Sequence, residues 1–147
     1  MDFSDLEELT RKDQRHLLAI GRFIVSYSQL EMSLRAMLSA KFTETEDAHL
    51  VLEPLYAMQL FEMLVKLRER RGIGTSESRR RFAEFKGRIG KMNDRRLDVA
   101  HGIWAGHVEG GFSARRKATW KFEDVEELEK ASWDCDQLMT DLIEFRD

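Results

Sequence analysis

From about Asp13 to Phe42 the chain carries one glycine and no proline, and its apolar residues keep a helical period. Leu17, Ile20, Ile24, Tyr27, Leu34 and Leu38 recur at spacings of three and four with one gap, and Leu30, Met32 and Met37 widen the stripe. A helix of this length cannot shield such a stripe by itself, so it has to pack against other elements. Turns are scarce, with nine glycines and a single proline among 147 residues. Long helices in one domain, spanning 1–147 with one core, follow from this.

The rest of the chain reads the same way. Ser4 and Glu7 have capping-box spacing and predict a short first helix. Thr43 to Asp47 is a polar break. A short helical piece follows, and Pro54 suits the first turn of the next helix. Leu55, Met58, Phe61, Met63, Leu64 and Leu67 continue an apolar face to about Arg71, where Gly72 and Gly74 end it. Ser76 or Ser78 can cap a further helix with Phe82, Phe85, Ile89, Met92 and Val99 on its stripe, stopping near His101 because Gly102 suits the position past a helix end. The texture then changes. Two runs, Ile103 to Val108 and Phe112 to Phe122, flank Gly110-Gly111 and predict a β-hairpin over about 103–122. Glu123-Asp124 begins a last helix carrying Val125, Leu128, Ala131, Trp133, Leu138, Leu142 and Ile143. The expected fold is mainly α: an antiparallel four- to five-helix bundle with a β-hairpin before the last helix.

Composition removes several function classes. No run of about 18 apolar residues is present, so no membrane span is expected. The acidic start, MDFSDLEELT, lacks a signal-peptide pattern. A single cysteine, Cys135, excludes an internal disulfide framework and a cysteine-based zinc site. His16, His49, His101 and His107 are scattered without metal-ligand spacing, so neither a metal nor a cofactor is expected, and the cytoplasm is the expected compartment. Charge is unevenly spread. Lys66 to Arg96 holds twelve Lys/Arg against four Asp/Glu, whereas Glu123 to Asp147 holds two against ten. Such an imbalance fits either a basic face for a polyanion or the mutual attraction of two antiparallel helices, and the second serves for most of these charges.

Two charges interrupt the apolar stripes. Glu31 fills the gap between Tyr27 and Leu34, and Arg96 falls between Met92 and Val99. A lone charge facing a core is costly, and the simplest resolution is a Glu31–Arg96 ion pair, either purely architectural or part of a site. His101 lies five residues beyond Arg96, about 140° around an ideal helix, so the two would flank a groove. Asp98, three residues before His101, could orient its ring.

The stretch Arg96-Leu97-Asp98-Val99-Ala100-His101-Gly102 resembles the signature of the HEPN domain family, an arginine, four to six intervening residues and then a histidine near a helix end, with Ala-His-Gly around the histidine. Arg95 gives the alternative with five intervening residues in place of four, but Arg96 lies better on the stripe. Leu30-Glu31-Met32-Ser33-Leu34 resembles the family's earlier glutamate-bearing helix. The resemblance implies a helical bundle that binds RNA or a nucleotide, acts as a homodimer, and in active members cleaves RNA without a metal in defence or toxin–antitoxin systems, where an antitoxin would be a further partner. It implies catalytic roles for Arg96 and His101 supported by Glu31, Asp98 and Asn93, with Arg95, Arg88 and Lys91 beside the RNA. Leu97 departs from the family, which commonly has a polar residue after the arginine. This departure favours the alternative, a non-catalytic assembly or nucleotide-binding module.

Overall fold

The computed structural model describes residues 3–72, 74–101, 103–105, 113–116, 119–122 and 125–145; at 3–10, 12, 13, 45 and 101–122 only the backbone is described. Five helices, α1 (Phe3–Ser39), α2 (Thr45–Leu52), α3 (Ala57–Arg70), α4 (Ser76–His101) and α5 (Val125–Glu144), form a bundle. Three short strands, β1 (Ile103–Ala105), β2 (Ser113–Arg116) and β3 (Thr119–Phe122), lie between α4 and α5. None of the described helices is long and apolar enough to cross a membrane.

Successive helices alternate in direction. Arg35 on α1 reaches the end of α2, and Glu31 reaches the start of α3, so α2 doubles back beside α1. Met58 lies nearest Gly90, Phe61 packs edge-on against Phe85, and Arg68 lies over Phe82, which sets α3 antiparallel to α4. Arg88 pairs with Asp141 at 2.7 Å and Arg95 approaches Glu127 at 4.0 Å, which sets α4 antiparallel to α5. The strands therefore sit at the end of the bundle where α4 finishes and α5 begins. They form an antiparallel sheet in the order β1-β2-β3, with Trp104 opposite Ala114 and Arg115 opposite Trp120. The second run of the expected hairpin is divided between β2 and β3. The Gly110-Gly111 turn lies outside the described residues.

The stripe that α1 buries differs from the one read in the sequence. His16, Ala19, Phe23, Tyr27, Leu30, Leu34 and Leu38 face the core, whereas Leu17 and Ile24 are exposed. The helix carries apolar residues on two faces, and periodicity alone cannot choose between them. Tyr27, Leu34 and Leu38 belong to both readings, but with Leu30 on the true stripe Glu31 moves to its edge. On α4 the expected Phe82, Phe85, Ile89 and Val99 are buried, and Met92 packs partly against them. On α5, Leu128, Ala131, Cys135, Leu138 and Leu142 are buried, while Trp133 and Ile143 point outward.

The helix ends have local causes. Gly72, at φ 68°, closes α3 in the left-handed conformation that glycine adopts without a Cβ clash. Thr75, rather than Ser76 or Ser78, caps α4: its Oγ1 accepts the Ser78 backbone N–H at 3.1 Å. Pro54 follows α2 instead of opening α3, in the place where a proline stops a helix. The backbone from Phe3 is one continuous helix, not a short helix followed by a long one, and the Ser4 and Glu7 side chains lie outside the description.

Phe23→Ala is expected to lower the unfolding free energy by about 3–5 kcal/mol and Leu17→Ala by less than about 0.5 kcal/mol in urea titrations. Equal losses would return the buried stripe to Leu17 and Ile24.

Candidate functional site

The site is built where α1, the α2–α3 corner and the last turns of α4 meet. The corner is held by two α1 residues one turn apart. Arg35 Nε donates to Leu52 O at 3.3 Å, and its Nη2 donates to Glu53 O at 3.3 Å and Leu55 O at 2.8 Å. These include carbonyls at the end of α2 that lack a partner within the helix, and a cation there also suits the helix dipole. Glu31 Oε1 accepts the Ala57 backbone N–H at the start of α3, at 3.2 Å, where a carboxylate meets the positive dipole end. Glu31 Oε2 lies 3.7 Å from Arg35 Nη2. The Tyr56 backbone N–H donates to Gln59 Oε1 at 3.0 Å, completing the α3 start.

With its backbone so fixed, Tyr56 lies over Arg96, whose guanidinium carbon is 4.9 Å from the Tyr56 ring centre. On α1, the Tyr27 ring centre lies 5.6 Å from the same carbon. The Tyr27 hydroxyl donates to Asn93 Oδ1 at 3.2 Å, so Asn93 joins the cluster one turn before Arg96. Burial pushes the Tyr27 phenol up to about 12; the Glu31 carboxylate adds to the rise, and Arg96 opposes it by its charge and a hydrogen bond.

The expected Glu31–Arg96 ion pair does not form: among the described residues Arg96 has no carboxylate within ion-pair distance, and its buried Nε has no hydrogen-bond partner. The cause is the rotated stripe, which turns Glu31 toward the α2–α3 corner and puts Tyr27 beside Arg96. Both misfit charges are accommodated separately, one by helix termini and one by aromatic faces. A stacked guanidinium keeps its outward N–H donors and its full charge for an anion, which a carboxylate-paired one would not.

The other expected residues are divided between two places. α4 remains helical through His101, so five residues of ideal helix set its Cα about 140° around from that of Arg96. The His101 side chain lies outside the described residues. Asp98 is 4% exposed and, with Lys91, Arg95, Glu127, Lys130 and Asp134, borders a groove of about 440 Å³ between α4 and α5. Across it Arg95 approaches Glu127 at 4.0 Å, while Lys130 pairs along α5 with Asp134 at 2.7 Å. Outside its lining, Arg88 sits 2.7 Å from Asp141 and 3.9 Å from Glu84. Among the described residues no group of His, Cys, Asp and Glu is arranged to hold a metal ion.

Sequence reasoning missed Tyr56 and Arg35. Arg35 had a readable signal, since a glutamate four residues ahead of an arginine is the favourable helical order. Comparison with known protein families, curated proteins and solved structures returns no match.

A buried phenol held above its ordinary value of 10.0 stabilises the fold below that pH, and the contribution is lost as pH rises toward about 12. Wild-type protein should therefore lose about 1 kcal/mol more than Tyr27→Phe between pH 9 and pH 11, measured by denaturant unfolding at each pH. Parallel curves would show that the phenol is not held above its usual range.

Proposed function

We propose that the chain is a HEPN-like RNA-binding domain that works as a dimeric, metal-independent endoribonuclease of a defence or toxin–antitoxin kind, with Arg96 and His101 as its working residues. The observation that carries this reading is the state of Arg96, clasped by Tyr27 and Tyr56 near the end of α4 and not paired with Glu31. It is a positioned cation five residues before the histidine that closes the same helix. RNA brings its own nucleophile. One imidazole takes the proton of the 2′-OH as its oxygen bonds to phosphorus, the P–O5′ bond breaks, and a second, protonated imidazole gives its proton to the leaving 5′ oxygen. A guanidinium stabilises charge gathering on the non-bridging oxygens. Two copies would supply both imidazoles and both guanidiniums without any metal.

A second reading, a non-catalytic assembly or nucleotide-binding module, is favoured by Leu97 after the arginine and by the burial of Asp98 against the α5 side, away from the tyrosine cluster. Cleavage of an RNA panel in excess chelator separates the two. The first reading expects products ending in 2′,3′-cyclic phosphate, lost by roughly 100-fold or more in His101→Ala and in Arg96→Ala with the helical content unchanged. A folded wild-type protein that cuts none of the panel but binds a nucleotide, with the affinity lost in Arg96→Ala, would select the second reading.

A further inference from the structure

The outer face of α1 is apolar, and none of the described residues covers it. Leu17, Leu18, Ile24, Val25 and Met32 are between 44% and 68% exposed. They occupy the arc of the helix opposite the core stripe of Phe23, Leu30 and Leu34, and no charged residue falls within that arc between Gln14 and Met32. The positions Gln14, Leu18, Gly21, Val25, Ser28 and Met32 are separated by four, three, four, three and four residues, which is the seam of a two-stranded coiled coil; Leu17 and Ile24 flank it at a seven-residue spacing. A Cβ built on Gly21 would meet nothing within 4 Å, so the seam is open along its length.

We infer that this face is the contact between two copies of the chain, with the two α1 helices packed antiparallel about a two-fold axis. Area supports a second copy as the occupant. The five exposed side chains leave roughly 500 Å² of apolar surface, the upper range for a monomer. That is most of the ~800 Å² each partner contributes to a standard interface.

Shape selects the direction. The seam alternates large Leu18, Val25 and Met32 with Gln14 and small Gly21 and Ser28. In an antiparallel pair the two kinds of position face each other, so Leu18 packs over Ser28 of the other copy and Val25 over Gly21, filling every layer. A parallel pair would set Gly21 on Gly21 and Ser28 on Ser28, leaving voids. The inference stands on α1 alone: this face lies on the side of the helix away from Tyr27 and Arg96, so a cleft shared by two copies' Arg96 residues would need a second, different contact.

Sedimentation equilibrium of the full chain tests it. The expected species has twice the 17.3 kDa chain mass. Val25→Arg, at a solvent-facing position, should weaken association by roughly 30-fold or more while the far-ultraviolet circular dichroism stays unchanged. A monomer at all concentrations, or a dimer indifferent to Val25→Arg, would overturn the proposal. Direction is read with a short bismaleimide cross-linker, to which the buried Cys135 offers no accessible thiol. Mixed Leu18→Cys and Ser28→Cys proteins should link to each other, and Leu18→Cys alone should not. Self-linking of Leu18→Cys would overturn the antiparallel arrangement. A dimer indifferent to Val25→Arg would overturn this proposal and leave the ribonuclease reading standing, loss of RNA cleavage with the dimer intact would do the reverse, and a monomer at all concentrations would remove both.

Discussion

The arrangement of the site depends on one pair of side chains, Glu31 and Arg35, that joins the end of α2 to the start of α3. Helix ends leave backbone groups without partners, and a corner between two helices brings opposite kinds together, carbonyls from one and N–H groups from the other. An arginine and a glutamate one turn apart on α1 answer both at once. Their own 3.7 Å contact keeps each in place for the other. Exposed ion pairs contribute little to stability, but this one is half-buried and each partner also bonds to backbone. Its structural effect is to set the approach of α3 to α1, and with it the position of Tyr56.

From that position the remaining features of the site follow. Tyr56 and Tyr27 give Arg96 two aromatic faces, so a cation near the core is tolerated without a carboxylate beside it. Farther around α4, by contrast, the basic side chains are met by acids. Arg88 and Arg95 face Asp141 and Glu127, Lys86 faces Glu62, and Arg80 and Arg81 pair with Glu77 and Glu84 on their own helix. Part of the positive charge between Lys66 and Arg96 is therefore taken up in ion pairs, some between helices and some along α4 itself. Arg81 and Arg88 also lie over an aromatic ring but each has a carboxylate partner, whereas Arg96 is stacked with no carboxylate within ion-pair distance among the described residues; that difference is why it, and not the basic run as a whole, is the centre of the proposed chemistry.

The helical bundle could be read from the sequence because three of its causes are local: few turn residues, long apolar periods, and glycine at the end of α3. The face that α1 buries could not be read, since Leu17, Ile24 and Val25 are as apolar as Ala19 and Phe23, and the choice is made by what α5 and α3 present to the helix. That single ambiguity carried into the site. Placing Glu31 on the buried stripe made a carboxylate–guanidinium pair the natural inference; placing it at the stripe's edge sends it to a helix terminus instead. The roles of Tyr56 and Arg35 arise from a chain corner, which period and composition do not describe. Asn93 and Arg96 were legible as misfits or neighbours of the motif, but their partner Tyr27 was seen only as a core residue, although a buried phenol needs somewhere to direct its hydroxyl.

A pair of double-mutant cycles on unfolding free energy tests the arrangement of Arg96 most directly. In one cycle Arg96→Met is combined with Tyr56→Leu, and in the other with Glu31→Gln. The expected coupling is about 0.5–1 kcal/mol between Arg96 and Tyr56 and below about 0.5 kcal/mol between Arg96 and Glu31. A coupling above about 1 kcal/mol to Glu31, with none to Tyr56, would contradict the stacked arginine and restore a direct ion pair in its place.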